Sequence, residues 1–296
     1  MADVTDDDHG PALRAAADRI LELHEAGELE AALDGCAALE ADARSADATD
    51  PVVRESWFTA RFERAVLHTE LGDLDAAATA YLDAAALPFD LTEPDEAHEL
   101  AMALLNAGIC LEALGDRDAS LATYDRLLTE LGDATDPVTA EQVLRARVNR
   151  AVALLGLERP AEALTDAELL AARLDAADPV EAEQLGMVQR VRAQALHALD
   201  RVEEAVAALA AAEAVAVVAE GGARTQAVAA QGERAALLAE LGRADEAIAL
   251  LEATVERFRD DPQVGEVVVD LLQAEADLLD ASGQHDRAAE VRSRAG

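Results

Sequence analysis

Histidine, cysteine and lysine side chains carry much of the chemistry that proteins perform, and this chain has few of them. It contains six histidines, two cysteines and no lysine. The string His98-Glu99-Leu100-Ala101-Met102 begins like the helix of a zinc protease, but Met102 stands where that motif needs its second histidine. A zinc site of that type requires two imidazoles one helical turn apart. The string therefore predicts no metal centre.

The other reactive side chains fall into no catalytic or metal-binding pattern. The remaining histidines have no metal-ligand spacing; they are His9, His24, His68, His197 and His285. Cys36 and Cys110 are far apart in sequence, so we expect them to pack as small apolar side chains, without a disulfide, in a reducing cytoplasm. The lack of lysine excludes Schiff-base chemistry and a phosphate-binding loop of the G-x-x-x-x-G-K-[ST] type. The sequence therefore predicts no enzymatic activity and no cofactor.

The charge of the chain restricts its partners. It has 61 acidic residues against 24 basic ones, all arginine, which gives a net charge of -37. Nucleic acids and anionic membranes are bound mainly by basic residues, so neither is an expected partner. A protein or peptide that is basic, neutral or amphipathic fits this charge better.

Composition also suggests where the protein works. Residues 1–10 hold four aspartates and no apolar stretch, which predicts an acidic, disordered N-terminus and no secretory signal. No uninterrupted apolar run reaches the length of a membrane span, so we expect a soluble, cytoplasmic protein. Abundant alanine and arginine, with the excess of acid, are typical of both actinobacterial and haloarchaeal proteins, and both origins stay open.

A proline or, once, a glycine recurs every 40 to 43 residues and marks the helices that position these side chains. The marks are Pro11, Pro51, Pro94, Pro137, Pro179, Gly221 and Pro262. Midway between them stands a turn residue at Gly27, Gly72, Gly115, Glu158, Asp200, Gly242 and Gly283. A fixed period of this length indicates a repeat array, here of a long helix A, a tight turn and a shorter helix B. Aspartate before the proline at 50, 136, 178 and 261 predicts a capped start of helix A.

Small side chains recur at two positions of each repeat. Five residues after the turn stand Ala32, Ala77, Ser120, Ala163, Ala205, Ala247 and Ala288. Seven residues before it the side chain is small in six of the seven repeats, and the residues are Ile20, Ala65, Gly108, Ala151, Ala193, Ala235 and Ala276. We expect helices A and B to approach most closely at these two positions, where a bulky residue would overpack the contact.

The best copies of the repeat are Ala103 to Pro137 and Arg147 to Leu170, with Tyr81 and Tyr124 nine residues after their turns. Their alanine, Leu-Gly and aromatic positions resemble tetratricopeptide repeats in a long form of about 42 residues. The resemblance implies an all-α fold, a right-handed superhelical solenoid of seven antiparallel helix pairs. It covers one array over 11–296, with repeats at about 11–50, 51–93, 94–136, 137–178, 179–220, 221–261 and 262–296.

The resemblance also implies a binding surface. In that family helix A lines a concave groove, and the residues 13, 10, 6 and 3 positions before each turn face it. Ile109, Glu112 and Val152 hold such positions, and the partner-binding candidates are Phe62, Val66, Met102, Leu105, Arg145, Val148, Met187, Arg190, Gln194 and His197. The family's carboxylate clamp needs a lysine, which is missing here.

Several of these residues have a second interpretation. The arginines can bind an acidic or amphipathic peptide or can pair with neighbouring carboxylates. Asn106 and Asn149 can hydrogen-bond a ligand backbone or the adjacent helix, and Phe58 with Phe62 can form core or a partner contact.

The sequence thus predicts a non-enzymatic scaffold that binds a protein or peptide on helix A. The alternative is a sensor whose ligand changes the shape of the array at a hinge formed by Gly221 and Gly222, where two glycines replace the Asp-Pro mark.

Overall fold

The computed structural model describes residues 9–43, 50–174, 179–216 and 222–295, and these ranges contain α-helices joined by turns, without strands. The contacts divide the chain into two compact units, Met1–Ala153 and Leu154–Gly296. We call them unit 1 and unit 2. None of the described helices is long and apolar enough to cross a membrane.

Unit 1 holds three complete helix pairs and most of a seventh helix. These are α1 (His9–Glu25), α2 (Leu29–Ala43), α3 (Pro51–Glu70), α4 (Leu74–Ala85), α5 (Pro94–Ala113), α6 (Arg117–Leu131) and α7 (Pro137–Gly156). Unit 2 contains the end of α7 and the remaining helices. They are α8 (Pro160–Ala171), α9 (Pro179–Ala198), α10 (Val202–Ala216), α11 (Gly222–Glu240), α12 (Ala244–Phe258), α13 (Gly265–Ala281) and α14 (His285–Ala295). Odd-numbered helices are helix A of each pair, and even-numbered ones are helix B.

The predicted starts of helix A are confirmed at four marks. Helices α3, α5, α7 and α9 begin at their prolines. The Asp50 carboxylate accepts from the Val52 and Val53 amides, at 2.9 and 3.3 Å. The Asp136 carboxylate accepts from the Thr139 amide at 2.9 Å. These bonds satisfy backbone donors that the first helical turn leaves without a partner.

Two predicted starts are wrong. Helix α1 already begins at His9, before Pro11, so the last two residues of the segment predicted to be disordered are helical, and residues 1–8 lie outside the described ranges. Helix α13 begins at Gly265, after Pro262. There Asp261 closes a turn instead of a helix cap, since its carboxylate accepts from the Gln263 amide at 3.0 Å and its carbonyl from the Val264 amide at 3.3 Å. Asp178 and Gly221 also lie outside the described ranges, and α11 begins at Gly222.

Each described turn from helix A to helix B is closed in the same way. The predicted turn residues all have positive φ: five are glycines between 74° and 80°, and the others are Glu158 at 56° and Asp200 at 58°. The amide of the next residue then donates to the carbonyl five positions earlier, as Asp73 does to His68 at 2.9 Å and Arg201 to Leu196 at 2.9 Å. This pattern satisfies the last carbonyls of helix A and reverses the chain locally.

Helix B starts differently in the two units. In unit 1, Asp73 and Asp116 accept from the amides three residues on, each at 3.2 Å. Before α8, α10 and α12 of unit 2 the same position is an arginine whose guanidinium makes two hydrogen bonds to the glutamate three residues later. The pairs are Arg159 with Glu162, Arg201 with Glu204 and Arg243 with Glu246. The turn pattern did not predict this exchange of a backbone cap for an ion pair.

The two small positions of each repeat lie in the closest part of each helix pair. All seven residues five positions after the turn are fully buried, and those seven positions before it are buried as well. In the third pair the Ser120 hydroxyl donates to the Gly108 carbonyl at 3.0 Å. A Cβ on Gly108 would lie 2.3 Å from the Tyr124 ring, so only glycine fits there.

The cores of the two units differ in composition. In unit 1, Phe58 stacks on Phe62 at 5.2 Å between ring centroids, and Phe62 meets the edge of Tyr81 at 5.2 Å. Phe58 is buried, which favours core packing for this pair. In unit 2 the core of α11 to α14 is built mainly from Ala, Val and Leu side chains, with Phe258 at its edge.

Cys36 and Cys110 are both buried free thiols, as expected for packing residues. Burial raises the pKa of Cys36 to about 12 and also raises the pKa of Cys110. Thiols held protonated in this way are poor nucleophiles.

Candidate functional site

The binding candidates of unit 1 divide into buried and accessible residues. Leu105 and Val148 are 1% and 2% exposed, so their assignment to a binding surface is wrong. Both stand ten positions before the turn, one helical turn from the buried small position, and therefore point into the same core. Phe62, Val66 and Met102 are half-buried against core side chains. Arg145 is exposed and donates to Gln142 at 3.3 Å.

The candidates of unit 2 lie on α9. Met187 is half-buried, and Gln194 is exposed. The Arg190 Nε donates to Glu233 of α11 at 3.1 Å. His197 contacts Glu240 of α11 at 2.9 Å. For Arg190 these contacts agree with the interpretation that the arginines pair with neighbouring carboxylates.

Six positions before the turn, helix A presents a row of apolar residues in unit 1. The row consists of Leu21, Val66, Ile109 and Val152, and we call it the apolar row. Leu21, Ile109 and Val152 are 38%, 39% and 39% exposed, while Val66 is half-buried. Helix A of each repeat in unit 1 thus carries one partly exposed apolar side chain at this position.

A pocket of about 260 Å³ opens beside the apolar row, between α5, α6 and α7. It is lined by Ile109, Glu112, Ala113, Tyr124, Asn149 and Val152. We call it the row pocket. Ligand sites for whole small molecules usually exceed about 300 Å³. The row pocket therefore has the size of a site for one side chain.

The back of the row pocket is held by a contact between helices. Tyr124 of α6 lies next to Ser120 and to Asn149 of α7, and burial raises its pKa to about 12. One repeat earlier, Tyr81 of α4 lies next to Thr69 and to Asn106 of α5. These positions agree with the interpretation that both asparagines contact the adjacent helix.

Glu112 supplies the charge of the row pocket. Its Oε1 atom accepts from the Arg117 Nε at 3.2 Å. Its Oε2 atom is shielded from water and has no hydrogen-bond donor among the described residues. The charge on Glu112 is also one of the causes that raise the pKa of Tyr124. A carboxylate oxygen without a donor in such surroundings favours a ligand that brings one.

A second cluster of charge joins α1 to α3 in unit 1. His24 stands between two carboxylates, with Nδ1 2.9 Å from Glu63 and Nε2 3.0 Å from Glu70. The hydrogen bond to Glu70 raises the pKa of His24, the contact with Glu63 adds to this, and desolvation opposes it. These two contacts tie the first helix pair to the second.

Two larger depressions of unit 1 lie among loop residues. One of about 730 Å³ is lined by Arg54, Phe89 and Glu96 among others, and Arg54 already binds Glu96 and Glu99. The other, of about 350 Å³, is lined mainly by the segments before α5 and α7. Neither is lined by a residue of the apolar row.

The sequence identified part of this site. The family spacing selected Ile109, Glu112 and Val152 on helix A; Ile109 and Val152 are exposed, and Glu112 is half-buried. It gave no sign that Tyr124 of helix B completes the pocket, because that depends on how three helices pack together. The signal that could have found it is the pairing of Gly108 with Tyr124, a missing side chain opposite a large one.

No protein-family model and no curated protein matches the sequence. Solved structures do resemble the fold. The apo form of the quorum sensor NprR from B. thuringiensis has a TM-score of 0.58 at 9% identity, over 97% of this chain and 87% of that one. A tetratricopeptide repeat protein from Parabacteroides merdae has a TM-score of 0.56 at 14% identity, over 96% and 92%. RapI in its apo form has a TM-score of 0.56 at 11% identity, over 95% of each chain. At these identities the likeness shows a tetratricopeptide-repeat fold.

Proposed function

We propose that this protein is a non-enzymatic scaffold that binds a peptide or an extended protein segment on the apolar row of unit 1. The observation that carries the proposal is the row pocket beside Ile109 and Val152, an accessible apolar site in an otherwise acidic chain. The arrangement suits a partner that lays apolar side chains along helix A and inserts one of them between α5, α6 and α7.

The physical argument rests on burial. Exposed Ile109 and Val152 would each be covered by a bound peptide, and burying apolar area contributes about 25 cal/mol per Å² before the cost of association. Tyr124, buried against Gly108, fixes the back of the pocket in the absence of a ligand, which lowers the ordering cost of binding. The tetratricopeptide-repeat fold supports the proposal because one neighbour of similar fold is described as a quorum sensor.

The test uses a display library of random 12-residue peptides selected on the purified wild-type chain. The enriched peptides are then measured by isothermal titration against Val152→Asp and Ile109→Asp. We expect each substitution to weaken binding at least tenfold, because the carboxylate must be desolvated in the pocket.

Val269→Asp provides the matched control. Val269 is 44% exposed on α13 of unit 2, and the same substitution there should leave binding unchanged. Selected peptides that bind Val152→Asp and Ile109→Asp as tightly as they bind the wild type would remove the apolar row from the binding surface.

The regulatory alternative rests on the two glycines in the sequence and on the neighbour described as a quorum sensor. Its hinge includes Gly221, which lies outside the described ranges, and no contact of the described residues favours a change of shape there. Small-angle scattering of the chain with and without a selected peptide tests it, and a change in radius of gyration that is lost in G221A/G222A would support the sensor.

A further inference from the structure

The charge in the lining of the row pocket is negative. Of the residues that line it, Glu112 is acidic, Tyr124 and Asn149 are neutral and polar, and the others are apolar. None of these lining residues is basic. The Glu112 Oε2 atom has no hydrogen-bond donor within the described part of the chain.

This lining discriminates between three kinds of inserted side chain. An acidic side chain would meet Glu112 with like charge, because Arg117, which pairs with the other oxygen of Glu112, does not line the pocket. A purely apolar one would cover the carboxylate without supplying a donor, which leaves a buried charge poorly solvated. A side chain with an aliphatic stem and a cationic head satisfies both parts of the pocket, since the stem packs on Ile109 and Val152 and the head reaches Glu112.

The charge of the whole chain acts in the same direction. With a net charge of -37 the surface attracts cationic segments and repels anionic ones, and this field speeds the encounter with a basic partner.

We propose that the row pocket binds a lysine or arginine side chain of a basic, amphipathic peptide, with its aliphatic stem between Ile109 and Val152 and its cationic head on Glu112. This inference rests on the proposed function and names the chemistry of its anchor residue.

The experiment uses the isoleucines as reporters. The chain has three, of which Ile20 and Ile248 are buried and Ile109 lines the row pocket. The full-length protein is labelled with ¹³C at the isoleucine δ1 methyl groups. It is titrated with acetylated, amidated Gly-Ser-Leu-Ala-Xaa-Ala-Leu-Ser-Gly peptides in which Xaa is lysine, arginine, norleucine or glutamate.

The expected result is a shift of the Ile109 methyl resonance by the lysine and arginine peptides, with dissociation constants at least tenfold below that of the norleucine peptide. The glutamate peptide should bind weakest, and Ile20 and Ile248 should not move. In Glu112→Gln the lysine and norleucine peptides should bind within about twofold of each other, because the amide cannot form the charged pair.

Glu130→Gln is the control, since Glu130 is exposed on α6 and pairs with Arg126 at 2.7 Å. It should keep the preference for lysine. Thermal unfolding of both variants by circular dichroism shows whether they fold as the wild type does.

Two results would overturn the inference. One is equal binding of the lysine and norleucine peptides to the wild type, and the other is a tenfold preference for lysine that survives in Glu112→Gln. An Ile109 resonance that none of the four peptides shifts also counts against it. If the library-selected peptides likewise fail to shift Ile109, the proposed function fails as well; if they do shift it, only the choice of a basic anchor is wrong.

Discussion

Unit 1 and unit 2 share one repeat plan but present different side chains on the exposed side of helix A. In unit 1 the position six residues before the turn is apolar in every repeat. In unit 2 it holds Gln194, Ala236 and Asp277, and the nearby Arg190 and His197 bind carboxylates of the next helix A. The buried small positions are the same in both. The comparison teaches that the repeat fixes the packing of a helix pair, while the residue six positions before the turn on helix A varies from apolar in unit 1 to small, polar or charged in unit 2.

The largest difference in stability between the two units should come from a substitution in the core of unit 1, where Gly108 faces an aromatic ring. Gly108→Ala should lower the free energy of unfolding by about 1–3 kcal/mol, because the new Cβ overpacks Tyr124. Urea unfolding followed by Trp57 fluorescence measures this, since the single tryptophan lies in unit 1. Gly265→Ala in unit 2 is the control, because a Cβ there meets no atom within 4 Å. Equal losses for both variants would contradict the close packing at Gly108.

Charge repulsion should produce the next largest difference in stability between the two units. Unit 1 carries 33 acidic residues against 11 arginines, and unit 2 carries 28 against 13. Raising sodium chloride from low concentration to 1 M should raise the melting temperature by roughly 3 °C, equivalent to about 1 kcal/mol, since salt screens exposed like charges. Trp57 fluorescence should report a larger rise than circular dichroism of the whole chain. A melting temperature that does not change with salt would refute the prediction.

The ion pairs of unit 2 should have a smaller effect. A double-mutant cycle of Arg190→Gln and Glu233→Gln should give a coupling of about 0.5–1 kcal/mol, because the pair is only partly shielded from water. Arg145→Gln in unit 1 is the comparison. No carboxylate lies within ion-pair distance of Arg145 among the described residues, so its replacement should leave the free energy of unfolding nearly unchanged. A coupling near zero would mean that solvent screens the pair completely.

The smallest effect should be the pH dependence of unit 1. The pKa of His24 is raised in the folded state above its ordinary value of 6.5, chiefly by Glu70. The stabilisation is therefore full below about pH 6.5 and is lost as the pH rises through the folded-state pKa. Its size should be on the order of 0.5 kcal/mol, given the exposure of the pair.

Urea unfolding by Trp57 fluorescence between pH 5.5 and 8.5 measures this dependence. His24→Gln should flatten it, whereas His197→Gln, which removes an exposed histidine of unit 2, should leave the slope at Trp57 as it is. The same slope in His24→Gln and wild type would show that His24 does not carry the pH dependence.

The parts of the fold that the sequence predicted are those with local causes. A left-handed residue closes each turn within six residues, and small side chains must stand where two helices touch, so both features appear as a strict period. The assignment of Leu105 and Val148 failed because helical spacing alone does not tell which side of helix A is covered by its neighbours. The start of α13 was misplaced because an Asp-Pro pair can begin a turn as readily as a helix.

The row pocket could be predicted only in part for the same reason. Ile109 and Val152 follow from spacing along α5 and α7. The contribution of Tyr124 and the unpaired oxygen of Glu112 arise from the packing of three helices, which no single repeat encodes.

The local closure of every turn has an evolutionary consequence. Because the hydrogen bonds that reverse the chain lie within one helix pair, a repeat can be duplicated, lost or exchanged without a new folding signal elsewhere. Glu158 and Asp200 show that even the glycine of the turn can be replaced while the positive φ is kept. Natural selection can therefore change the outward residues of one helix A at a time while the architecture stays constant.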